Sequence, residues 1–193
     1  MVTARNTRED VIAAAGRLFA ARGYHGTSMR DLGRELGLHG SSLYSHVTSK
    51  EDLLVAVVER GAERFEQSAE EALGSSDAPA ERLRALIAGH IDVVLDHTDE
   101  AKTFLDEARS LEDPARRHIR DARNTYEKRF RAVIADGVSS GEFAPETDPK
   151  IATIFVLSIL NAVERWYDPD GELDRAALVD EIWQFAITAL TSS

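Results

Sequence analysis

The chain has 193 residues, 43% of them hydrophobic, no cysteine, and a formal net charge of -11. That composition supports a buried core, and it excludes disulfide staples, thiolate metal sites and thiol catalysis. The charge is uneven: residues 1–60 hold eight Lys and Arg against seven Asp and Glu, the remainder 15 against 27, so only the first third can approach a polyanion without general repulsion.

Apolar residues recur at three- and four-residue steps along the whole chain, and no stretch alternates like a strand, so the expected fold class is all-α with about nine helices. The first opens at Asn6 or Thr7, with Glu9 or Asp10 three residues on, and buries Val11, Ile12, Ala15, Leu18 and Phe19. Gly23 ends it through a left-handed turn. Ser28 and Asp31 make a capping box for a short second helix with Met29, Leu32 and Leu36 on one side, and Gly37 breaks the chain. A third helix of about two turns runs from His39 or Gly40 to His46, turning Leu43 and Val47 inward and Ser41, Ser42 and Ser45 outward. The fourth starts at Ser49, capped reciprocally with Asp52, and continues toward Leu73. After a loop from Gly74 to Pro79, five more helices are expected at 79–97, 99–111, 113–140, 148–167 and 174–191.

The helix from Asp148 is apolar nearly all round and the last helix is similarly over-supplied, which predicts a homodimer surface built from Phe155, Ile159, Val163, Leu178, Ile182, Trp183 and Ala186. The longest uncharged run, Ile151 to Val163, is shorter than the roughly 18–20 residues that a bilayer span needs. The N-terminus shows no basic stretch followed by an apolar run. A cytoplasmic protein with no membrane partner is therefore expected.

A short helix, a glycine-bearing turn and a second short helix form the geometry that lays one helix in the major groove while the other braces the backbone. Here the candidate DNA contacts are Thr27, Ser28, His39, Gly40, Ser41, Ser42, Tyr44, Ser45, His46 and Lys50: small polar groups for base edges, and Thr27, Tyr44, His46 and Lys50 as donors to phosphate. On the residues alone, an ordinary helical hairpin with a solvated serine face remains open, and with it a helical dimer that binds no DNA. Six histidines raise the question of metal, but His90 and His97 stand roughly 10.5 Å apart along one helix, too far to share an ion unaided. Neither a nucleophile turn nor a phosphate-cradling glycine loop is present, so no enzyme, no metal and no cofactor are expected.

The runs from Leu18 to Leu32 and from Leu43 to Leu54 closely resemble the N-terminal signature of TetR-family repressors, over about fifty residues in order and spacing. The resemblance implies an N-terminal helix-turn-helix DNA-binding domain, here 1–50, and a helical ligand-binding and dimerisation domain, here 51–193. It also implies a palindromic operator as partner and loss of operator binding when a small-molecule effector is bound. The effector is expected to act by moving the fourth helix. Two positions depart from the usual pattern: His39 stands where a Ser or Thr caps the recognition helix, and Val47 where Phe is usual. Further on, Asp106 to Arg109, Gly141 to Pro145 and Arg165 to Gly171 are similar to the branch that senses acyl-CoA thioesters. That similarity implies an acyl slot lined by Phe104, Leu105, Ala108 and Leu160, phosphate contacts from Arg109, Arg123 and Arg165, and Trp166 on adenine or walling the pocket. Arg165 paired with a carboxylate such as Glu107, Trp166 as core, and a different hydrophobic effector stay open as alternatives.

Overall fold

The computed structural model describes residues 7–38 and 40–192, leaving aside the side chains of residues 40, 41, 108 and 109. Among the described residues nine α-helices follow one another and no strand occurs: α1 (Arg8–Arg22), α2 (Met29–Leu36), α3 (Gly40–Leu43), α4 (Lys50–Leu73), α5 (Pro79–Asp96), α6 (Thr98–Asp106), α7 (Ala115–Ser140), α8 (Pro149–Trp166) and α9 (Arg175–Thr191). A 3-10 turn, Glu107–Ser110, follows α6. The chain divides into two compact units, one reaching to Glu63 and taking in His97–Asp121, the other made of Arg64–Asp96 and Ala122–Ser193.

In the first unit α1 packs on α2 and α6. Its start is set by a capping box in which Thr7 and Asp10 satisfy each other's backbone N–H. The hydrogen bonds hold the Asp10 carboxyl below the usual carboxylate range. Gly23 closes α1 with φ 75° and ψ 160°, so the left-handed turn expected there is in fact positive-φ extended backbone, still a conformation that side chains rarely adopt. Val11, Ile12, Leu18, Phe19, Leu32, Leu43, Val47, Leu53 and Leu54 make its core. Where α4 crosses α6, Gly61 lets the backbones meet: a Cβ there would stand 2.8 Å from the Glu100 carbonyl oxygen.

In the second unit α5 packs on α8 and α9. Leu83, Leu86, Ile87, Ile91, Phe130, Ile134, Phe143, Leu160 and Val163 are fully closed off from solvent or nearly so. Asp148 caps α8 by accepting the N–H groups of Lys150 and Ile151, with Pro149 in the first helical position. Asp174 caps α9 in the same way. Charged pairs rim this core: Arg175 reaches Asp92 at 3.1 Å and Asp96 at 2.8 Å, and Arg84 reaches Asp180 at 2.6 Å.

Four of the burial expectations on the last two helices are corrected here. Val163, Leu178, Ile182 and Ala186, expected on a dimer surface, face the core of their own unit, because the packing of α8 and α9 on α5 takes up that stripe.

Candidate nucleic-acid interface and ligand site

Serine, asparagine and threonine side chains compete with the backbone for hydrogen bonds, which favours short helices with sharp ends. Residues 28–47 obey that rule. The Ser28 hydroxyl accepts the Asp31 N–H and donates to the Asp31 carboxylate, which these bonds hold below its ordinary range. Gly37 then takes a left-handed conformation, φ 64° and ψ 24°, and its N–H closes on the Arg34 carbonyl. The third helix is shorter than its apolar pattern suggests: it stops at Leu43, where the His46 N–H bonds Leu43 and the Ser45 hydroxyl donates to the Ser42 carbonyl at 2.7 Å. Leu43 and Val47 anchor this segment inside, so Ser42 and Ser45 face outward and Tyr44 stands 56% exposed.

The expected DNA contacts separate on this frame. Ser42, Tyr44 and Ser45 are presented to solvent and His46 is half-buried. His39 and the side chains of Gly40 and Ser41 lie outside the described residues. Thr27 is a correction: it is buried, its hydroxyl donating to the Leu18 carbonyl at 3.2 Å and the Gly23 carbonyl at 3.0 Å, so it ties the end of α1 to the start of α2 and offers nothing to phosphate. Ser28 is exposed but its hydroxyl is engaged by Asp31.

Lys50 opens α4 with its ammonium 4.0 Å from the centre of the Tyr24 ring. Partial burial lowers its affinity for the proton, and the attraction of Glu107 opposes this without cancelling it. Tyr24 is pushed the other way, up, by burial and by Glu51 and Glu112. Tyr24 went unassigned in the sequence reading, although an aromatic one turn beyond Phe19 gives the signal; the two rings meet edge to face at 5.5 Å. Asp52 caps α4 by giving its N–H to the Ser49 hydroxyl, but its carboxylate takes the Thr48 N–H, so the reciprocal partner lies one residue earlier than expected.

The expected ligand residues divide between the units: Phe104, Leu105, Ala108 and Arg109 fall in the first, and Arg123, Leu160, Arg165 and Trp166 in the second. Phe104 and Leu160 are buried. Leu105 and Arg123 are half-buried, and the side chains of Ala108 and Arg109 lie outside the described residues. Arg165 is not a buried cation: it is 66% exposed, and its Nε meets Glu164 at 3.4 Å, while Glu107 accepts from Ser110. Trp166 is exposed, which removes the alternative that it is core.

Ile151, Ile154, Phe155 and Phe185 are exposed, with Phe155 at 64% and Phe185 at 63%, and Ile151, Phe155 and Phe185 frame an apolar groove of about 680 Å³ together with Ala152, Ile159 and Ala189. Trp183 is half-buried and does not line it. In the second unit His90 of α5 is buried beside Phe65 of α4 and Tyr126 of α7, and Phe130 of α7 lies against Tyr126. A single histidine whose neighbours one turn away are Leu86, Ile87, Val93 and Val94 is the pattern that marks such a residue in sequence.

A model of the tetR family of bacterial regulatory proteins matches residues 11–57, and one described as the tetracyclin repressor-like C-terminal domain matches residues 76–190. The HTH-type transcriptional repressor KstR2 of Mycolicibacterium smegmatis is 24% identical over 96% of this chain and 91% of its own length. The fatty acid metabolism regulator protein of Bacillus subtilis is 22% identical over 93% of each. Among solved structures, the ketosteroid transcriptional regulator KstR2 of Mycobacterium tuberculosis aligns with a TM-score of 0.90 at 25% identity, covering 100% of this chain and 98% of that one. AibR, solved with isovaleryl coenzyme A and operator DNA, aligns at 0.83 and 26% identity, covering 95% and 97%.

Proposed function

The chain belongs to the TetR family of bacterial regulatory proteins, and from that premise we propose a homodimeric repressor that holds a palindromic operator and releases it when an acyl-CoA thioester binds. It is a DNA-binding transcriptional regulator of an effector-responsive kind. Operator contact is assigned to residues 1–50, and effector binding and dimerisation to 51–193.

The observation that carries the reading is the outer side of the turn after α2, where Leu43 and Val47 are locked inside while Ser42, Tyr44 and Ser45 project. Small hydroxyls approach base edges closely, and a phenol beside them reaches phosphate. The near-neutral charge of residues 1–60, in a chain that is otherwise strongly acidic, supports contact there and nowhere else. In a dimer, two such surfaces meet half-sites roughly 34–36 Å apart. The apolar face of Phe155 and Phe185 is the surface that joins the protomers.

The effector class is supported by the relatives: AibR was solved with a coenzyme A thioester, and other relatives are named for ketosteroid and fatty acid regulation. For this chain Arg165 and Trp166, exposed at the end of α8, are the residues assigned to phosphate and adenine, with Arg123 as a further cation. Release requires only that the ligand prefer one of two arrangements of the protein.

A mobility-shift assay on a selected palindrome, run at several salt concentrations and titrated with acyl-CoAs of different chain length, tests this. Retarded DNA that is freed by a thioester is the expected outcome. Binding that is insensitive to sequence, or a complex that no thioester disturbs, would contradict the operator and effector parts respectively.

A further inference from the structure

Among the described residues four polar side chains are buried: Thr27, His90, Thr103 and Thr153. Each threonine hydroxyl donates to a nearby carbonyl, Thr27 to Leu18 and Gly23, Thr103 to Asp99, and Thr153 to Pro149. His90 is different. Its Nδ1 lies 3.0 Å from the Tyr126 hydroxyl, and its Nε2 meets no partner.

The proton count assigns the tautomer. If Nδ1–H donated to Tyr126, the phenol proton and the Nε2 lone pair would both be left over. If the phenol donates to Nδ1, a single group is left over, the Nε2–H, and it asks for an acceptor. Unmet buried donors are rare in native interiors and call for an explanation. Around this one the rings are apolar: Phe65 lies 4.8 Å from the His90 ring centre, Tyr126 lies 5.4 Å from Phe65, and Phe130 lies 5.5 Å from Tyr126.

We propose that His90 is the polar contact of the effector, its Nε2–H donating to the thioester carbonyl oxygen of an acyl-CoA whose acyl chain packs on Phe65, Tyr126 and Phe130. The inference rests on the acyl-CoA reading above and narrows it to a neutral acceptor, which excludes a free carboxylate. Among the described residues, the rings in contact with His90 and Tyr126 carry no positive charge that would neutralise a carboxylate. Burial holds the imidazole neutral, and the one charge felt at Tyr126 is that of Glu66, an acid already engaged by Arg129. The buried pair thus reads the group that distinguishes an activated acid from a free one.

The test removes the hydrogen bond from each side in turn. Isovaleryl-, octanoyl- and palmitoyl-CoA are titrated calorimetrically into the full-length protein, each beside the S-alkyl-CoA thioether that lacks the carbonyl, and beside the free acid. Wild type should bind a thioester about tenfold more tightly than its thioether, the span of one buried hydrogen bond, and should bind the free acid more weakly still. His90→Phe combined with Tyr126→Phe removes both partners, so no buried group is stranded. This variant should bind thioester and thioether alike. The comparison of thioester with thioether on wild type needs no variant, so it stands even where the double substitution does not fold. Equal affinity of wild type for thioester and thioether would mean that the carbonyl does not meet His90, and would overturn the inference while leaving the effector class intact. A tenfold preference kept by the double variant would overturn it in the same way. Failure of every thioester to bind wild type would instead overturn the effector reading, and the inference with it.

Discussion

Burial holds the His90 imidazole down to about 3, whereas in an unfolded chain it titrates near 6.5. The folded state therefore refuses a proton that the unfolded state accepts throughout the window between those values. Stability is full above about pH 7 and falls as the pH drops through 6.5, by roughly 2 kcal/mol between pH 7.5 and pH 5, before the carboxylates take over. Urea unfolding across that range should show this loss in wild type and a flatter profile in the His90→Phe, Tyr126→Phe protein; parallel profiles would place the pH dependence elsewhere. Thr27 makes a second prediction at this scale. Thr27→Val keeps the shape and deletes two hydrogen bonds, so it should cost about 1–2 kcal/mol in thermal or urea melts. Because the hydroxyl lies inside, the salt dependence of DNA binding should not change. The capping pair Ser28 and Asp31 was legible because its spacing defines its bonds, whereas Asn6 or Thr7 with Glu9 or Asp10 offered two equal spacings, of which the structure takes Thr7 with Asp10. Thr27 was not legible, because a threonine just before a cap looks like a solvent-facing polar group until α1 and α2 are packed.

The long helices were legible to within a residue or two, because α4, α5, α8 and α9 carry strong apolar periods bounded by Asp, Pro or Gly. Two short elements were not. Residues after Leu43 turn instead of continuing the third helix, since the Ser45 hydroxyl takes the Ser42 carbonyl. Residues 107–110 tighten into a 3-10 turn where one helix was expected to run on to 111. On the proposed operator contact, the start of α4 takes part in DNA binding. Lys50 lies in its first turn and is held over the Tyr24 ring, so this cation is fixed in place rather than freely moving. Lys50→Ala should weaken binding to all sequences alike and reduce the slope of log K against log salt by about one ion. Tyr24→Leu should leave that slope unchanged and lower affinity only through looser placement of the cation. If the slope is unaltered in the lysine variant, Lys50 does not touch phosphate.

For the molecule as a whole, the sequence showed that α8 and α9 carry more apolar surface than one partner helix can cover, but not which residues face out. Both helices read as apolar over several stripes, and their rotation is set by packing on α5, which turns Val156, Leu160, Val163, Leu178, Ile182 and Ala186 inward and leaves Ile151, Ile154, Phe155 and Phe185 outside. The grouping of residues 97–121 with the N-terminal helices was equally unreadable, because it depends on contacts of α6 with α1 about eighty residues apart in the chain. Phe155→Glu and Phe185→Glu should each give a folded monomer by light scattering with a melting temperature close to wild type, since both side chains are already mostly in solvent within one chain. Leu178→Glu should instead fail to fold, because that side chain is inside. A Phe155→Glu protein that remains dimeric would place the interface on another face.

The same exposed phenylalanines make the protein's dosage matter. If the operator-binding species assembles by pairing this face, then while chains are scarce the amount of that species grows with the square of their number rather than in proportion. Halving the concentration of chains at fixed cell volume would then cut active regulator about fourfold. Promoter output would follow the expression level of this gene as a threshold, even at constant effector.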